Sequence, residues 1–233
     1  MNNEQLMKLD GLVYLREITS GNFENVSEFI EYITTDENGN VNPEGKINET
    51  KIRIAERDYQ ISTLEAAGKF EEADKIRKEY SGDNVVNFEV KAINNGAMQK
   101  TVDMIRDDDE LLNLKVSYTS GEYQQELMEN GADKYCTDGL TAACFEDSNG
   151  NAYVIYRGTD GYIAWLENTE AATLADTEYQ QKALNFFESI PKLTMYNDVQ
   201  LSGHSKGGNM VQYITVVSKY CLLYTSPSPR DTR

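Results

Sequence analysis

The stretch Val199-Gln200-Leu201-Ser202-Gly203-His204-Ser205-Lys206-Gly207-Gly208-Asn209-Met210 decides how the chain is read. A short β-forming run leads into G-H-S-K-G, and helix-forming residues follow to about Lys219. Strand, sharp turn and helix in that order make the pattern of a nucleophile elbow, whose serine hydroxyl stands clear at the C-terminal edge of a sheet. Strand and helix backbones there approach too closely for side chains two residues either side, which assigns Gly203 and Gly207 as the elbow glycines. The helix that starts at the turn aims its N-terminal N–H groups and positive dipole end at a developing oxyanion. Ser205 is the candidate nucleophile, and the backbone N–H of Lys206 is a candidate oxyanion-hole donor.

Moving back along the chain, Leu114 to Tyr118 is a short alternating run and Glu122 to Asn130 is helix-like before Gly131. Thr141 to Phe145 leads into Asn149-Gly150, a hairpin signal between two apolar runs. Ala152-Tyr153-Val154-Ile155-Tyr156 is nearly continuous in β-formers and reads as a buried strand that ends at Arg157-Gly158-Thr159. A helix from about Thr177 to Ile190 is stopped by Pro191, and Asp198 to Ser202 is the strand of the elbow. Strands alternating with helices predict an α/β domain over 114–220 with a mostly parallel sheet.

Residues 1–113 have a different texture. Leu6, Leu9, Leu12, Val13 and Leu15, then Val26, Phe29, Ile30 and Ile33, recur at helical spacing on two segments split by Gly21-Asn22. Residues 46–80 predict a helical hairpin around Ala66-Ala67-Gly68-Lys69, either a packed pair with solvated charged faces or a partner-binding coiled coil. Asp36, Asn38 and Asn40 imitate the start of a calcium loop. Val41 stands where such a loop needs Gly, however, and Ile47 where it needs Glu. The acidic run Asp107-Asp108-Asp109-Glu110 reads as a solvated helix boundary.

The 233 residues carry 22 Lys+Arg against 39 Asp+Glu, a formal net charge of −17. A surface this acidic, without a long basic run, excludes nucleic acid as a first expectation. The 39% hydrophobic and 10% aromatic content is too high for a wholly disordered chain. No apolar run approaches a membrane span, and no basic-then-apolar leader opens the chain. Cys136, Cys144 and Cys221 have no CxxC spacing, and His204 is the sole histidine, so neither a disulfide framework nor a metal centre is expected. These features predict a cytoplasmic protein without cofactor or metal.

With these residues in view, the chain resembles lipase-like serine hydrolases of the α/β-hydrolase fold, and within them an uncharacterised bacterial group carrying G-H-S-K-G-G-N. The resemblance covers roughly Gly131 to Tyr220: Tyr153 to Asp160, Trp165, Gln180 to Phe187 and Gly203 to Met210. It implies an α/β-hydrolase-type sheet, a second oxyanion donor at Thr159, and a lid around Trp165. Trp165 is equally readable as a core anchor. Arg157-Gly158-Thr159 is also readable as a plain strand-ending turn, and Arg157 as a structural residue needing a carboxylate partner inside the domain.

A serine nucleophile needs a base, and the base an acid, which in this fold follow the serine in the order acid, then histidine. After Ser205 there is no histidine, and Asp231 is the sole carboxylate. His204 adjoins the serine on the elbow, where its side chain points away from the hydroxyl, so a packing role is expected of it. From Cys221 the composition breaks, and residues 221–233 hold two of the four prolines. They read as a non-native read-through tail on a C-terminally truncated frame, or as a natural disordered tail. The expected function is an esterase or lipase-like hydrolase acting through an acyl-enzyme on Ser205, in a fragment lacking its triad acid and histidine. The alternative is a non-catalytic scaffold whose acidic helical half binds a protein partner.

Overall fold

A computed structural model describes residues 1–158 and 177–220. Ten α-helices occur among them: α1 Asn3–Leu12, α2 Val26–Thr34, α3 Glu49–Ala66, α4 Phe70–Glu79, α5 Lys91–Asn94, α6 Ala97–Arg106, α7 Asp109–Leu112, α8 Ser120–Glu129, α9 Glu178–Ser189 and α10 Lys206–Val217. Four strands make one sheet: β1 Lys115–Thr119, β2 Ala142–Glu146, β3 Ala152–Tyr156 and β4 Val199–Gly203. None of the described helices is long and apolar enough to cross a membrane.

Local chemistry sets several boundaries. Asn2 opens α1 with a capping box: its side chain accepts from the Gln5 N–H while the Gln5 side chain accepts from the Asn2 N–H. Thr177 and Gln180 repeat the device at α9. Between α3 and α4, Gly68 takes a left-handed conformation (φ 73°) that closes the helical pair predicted over 46–80. At the β2–β3 hairpin, Asp147 accepts from the Asn149 and Asn151 N–H groups, and Gly150 turns at φ 74°.

The strands lie in the order β1-β2-β3-β4. β1 pairs antiparallel with β2, and β2 antiparallel with β3; only β3 and β4 are parallel. The expectation of a mostly parallel, hydrolase-type sheet is therefore corrected for the described residues, which form a mixed and mainly antiparallel sheet in an α/β architecture. Two connections account for this. The short turn at Asn149-Gly150 can only return a strand antiparallel, because a parallel return needs a crossover of a dozen or more residues. The second connection contains α8, yet still brings β2 back against β1 in the opposite direction. Alternation of strand and helix along the chain thus did not mean alternation of crossovers.

Side chains along β2 and β3 alternate between two cores. Ala143, Phe145, Tyr153 and Ile155 join a cluster with Leu6, Leu9, Phe29, Val102 and Ile105, so α1, α2 and α6 cover one face. Cys144, Val154 and Tyr156 join Phe186, Phe187, Met210 and Ile214 from α9 and α10 on the other. Every residue of β3 is buried. The helical residues of 1–113 and the strands share one of these cores, in three layers with the sheet between.

Candidate functional site

β4 ends at Gly203, α10 starts at Lys206, and Ser205 makes the corner between them at φ 58°, ψ −119°. A non-glycine residue with positive φ is rare and costs on the order of 1–3 kcal/mol, and such residues concentrate at functional sites. Ser205 is exposed, whereas Lys206 and Gly207 are buried. The corner is sealed by hydrogen bonds from the Gly207 N–H to the His204 carbonyl (3.1 Å) and from the Asn209 N–H to the Ser205 carbonyl (3.2 Å).

The elbow glycines are required by proximity. A Cβ on Gly203 would stand 2.6 Å from the Gly207 carbonyl carbon and 2.9 Å from the Tyr156 oxygen; one on Gly207 would stand 2.2 Å from that same oxygen. Gly158, just past β3, is equally confined: a Cβ there would lie 2.4 Å from the His204 carbonyl oxygen and 2.6 Å from the Tyr14 hydroxyl. The ends of β3 and β4 therefore meet backbone to backbone beneath the serine.

Lys206 opens α10, and its ammonium lies 3.2 Å from the centre of the Tyr179 ring, so the side chain is laid against α9. Gln180 of α9 donates to the Asn209 side chain at 2.9 Å, tying α9 to the first turn of α10. His204 is exposed. Thr159 and Trp165, the other oxyanion donor and the lid residue, lie outside the described residues, as does the tail 221–233. Among the described residues no group of three or more His, Cys, Asp or Glu side chains is placed to hold a metal ion.

Arg157 has the internal carboxylate partner it needs. Its guanidinium meets Glu56 of α3 at 3.0 Å, and Arg16 meets the other oxygen of the same carboxylate at 3.3 Å. Burial works against the Glu56 charge, yet the two guanidinium groups hold its carboxyl below its ordinary value. Arg16 also donates to the Thr141 hydroxyl (3.0 Å) and stacks over the Tyr59 ring at 3.3 Å. Tyr14 and Arg157 form one end of a cavity of about 570 Å³ that runs between α3, α5 and α6 toward Phe88, Val90 and Met98.

Sequence reasoning missed two half-buried acids of the N-terminal layer. Asp10 accepts a hydrogen bond from the Ser202 hydroxyl at 2.9 Å, and its other oxygen is buried with no partner. Burial pushes the Asp10 carboxyl up to about 7, against the lowering effect of that hydrogen bond. Burial likewise lifts Glu17 to about 7, and neither of its carboxyl oxygens has a partner. A signal for Asp10 existed in its spacing. It stands four residues after Leu6 and three before Val13, inside the apolar stripe of α1.

A protein-family model described as Mbeg1-like matches residues 117–221, from within β1 through the elbow and α10. The chain is similar to that family over less than half its length. No curated protein and no solved structure matches it.

Proposed function

We propose that the chain is part of a serine hydrolase of the lipase-like α/β-hydrolase type, which forms an acyl-enzyme on Ser205. The observation that carries this reading is the backbone of Ser205 itself: a positive-φ serine at a strand-to-helix corner, exposed, with glycines confined on either side. The Lys206 backbone N–H at the start of α10, with Thr159 beyond β3, would stabilise the tetrahedral oxyanion. The triad acid and histidine belong, in this proposal, to native sequence beyond Tyr220. The substrate is a carboxylic ester, lipid-like or small, and the free Cys136 and Cys144 favour a reducing compartment, the cytoplasm.

A fluorophosphonate probe tests this. The protein extended by its native reading frame is expected to label, and its Ser205→Ala variant not to label. Equal labelling of the two refutes the assignment and leaves the scaffold reading. The 233-residue chain alone is expected to be nearly inactive, because loss of a triad histidine costs on the order of 10⁶ in kcat in the subtilisin case.

A further inference from the structure

We propose that the end of α1 and the turn after it belong to the site: Asp10 and Tyr14 are positioning residues that hold the ends of β4 and β3 at the spacing the elbow requires. As a statement about catalysis this rests on the reading of Ser205 as nucleophile.

The parallel ladder between β3 and β4 ends at the pair Tyr156 and Gly203. Gly158, His204 and Ser205 lie beyond it, so ladder hydrogen bonds do not fix their separation. Asp10 in the last turn of α1 and Tyr14 two residues past its end reach both sides of this junction. Asp10, on the helix face that buries Leu6 and Leu9, receives the Ser202 hydroxyl three residues before the nucleophile. Tyr14 follows one turn later, and its hydroxyl faces the Gly158 backbone N–H, where Gly158 abuts the His204 carbonyl. Arg157 lies over the Tyr14 ring at 4.9 Å and keeps it in place.

The cost of the arrangement supports a purpose. A carboxyl inside an apolar helix stripe, with one oxygen buried and unpartnered, breaks the rule that buried polar atoms are satisfied. Such breaches cluster where function demands them. An aliphatic residue at position 10 would extend the stripe but could not tie down Ser202.

Two readouts test the brace. Hydrogen exchange of the 233-residue chain is expected to be about tenfold faster over 199–210 in Asp10→Ala, with 183–190 unchanged. Asp10→Asn, which can still accept the Ser202 hydrogen, should restore protection. In the protein extended by its native frame, fluorophosphonate labelling of Ser205 should slow at least tenfold in Asp10→Ala and in Tyr14→Phe, since an ångström of misplacement costs on the order of a hundredfold. It should recover in Asp10→Asn. Leu9→Ala, a buried change on the same helix that leaves the Asp10 and Tyr14 side chains in place, should lower Tm but leave labelling at 25 °C unchanged. Unaltered exchange at 199–210 overturns the proposal, as does equal slowing by Leu9→Ala. Altered exchange in a protein that never labels overturns the nucleophile reading instead and leaves the brace standing.

Discussion

Replacing Gly207 by alanine should be among the most damaging single-methyl changes available to this protein, while the same change at Gly208 should be markedly milder. At Gly207 the new Cβ would stand 2.2 Å from the Tyr156 oxygen, 2.9 Å from its carbonyl carbon and 3.2 Å from that of Arg157. Carbon–oxygen contacts settle at about 3.3 Å or more, so roughly 1 Å must be found. All three obstacles are backbone atoms. β3 cannot recede, because it is hydrogen-bonded to a strand on each side and the Tyr156 hydroxyl is fixed to the Ala183 carbonyl at 3.0 Å. The helix must lift or the β3–β4 pair must open, at about 3 kcal/mol, the upper end of ordinary overpacking. For a protein of this size that lowers Tm by about 6–12 °C. At Gly208 the closest atom to the new Cβ is the Gly203 oxygen at 2.9 Å, with the next at 3.8 Å. That obstacle is also backbone and must yield by about 0.4 Å to reach ordinary contact, but it is a single atom, and alanine recovers about 1 kcal/mol of helix propensity over glycine. Its Tm should fall by clearly less than that of Gly207→Ala. Calorimetric melts of the two variants side by side decide the matter. Coincident melts, or a Gly207→Ala variant as stable as the parent, would refute the close-packed elbow.

Two further outcomes follow from groups held against their preference. Ser205→Gly should be more stable than Ser205→Ala by about 1 kcal/mol, because glycine relieves the positive-φ strain of on the order of 1–3 kcal/mol and gives back up to about 1 kcal/mol through a more flexible unfolded chain. Urea unfolding of the pair checks it, and a glycine variant no more stable than the alanine one argues against strain at the corner. Glu17 is lifted by burial from an ordinary 4.5 to about 7, so the folded state keeps a proton that the unfolded chain releases. Stability from this group therefore falls as pH rises between about 4.5 and 7, and the full deficit, up to about 3 kcal/mol, persists above that window. Glu17→Gln should match the parent near pH 4.5 and exceed it by that amount at pH 8; a difference independent of pH refutes the assignment.

How much of this was legible in the sequence depends on how local the cause is. The elbow was readable because its requirements are written within six residues: the glycines, the serine and the turn of direction all follow from contacts between Gly203, Gly207 and the end of β3. The helix pair around Gly68 and the hairpin at Asn149-Gly150 were readable for the same reason. Sheet direction was not, because a helix between two strands is compatible with either sense of return, and only packing decides that α8 turns the chain back on β1 rather than across the sheet. The helical half was read as a region apart, since its amphipathic stripes say that a face is buried without saying against what. The buried faces of α1, α2 and α6 meet Phe145, Tyr153 and Ile155. Once that layer is in place, a carboxylate in the α1 stripe becomes intelligible. Asp10 is a poor core residue by any propensity, and an apolar residue there would suit the helix better. Its position is explained by Ser202, three residues before the corner, which lies 192 residues away in sequence and 2.9 Å away in space.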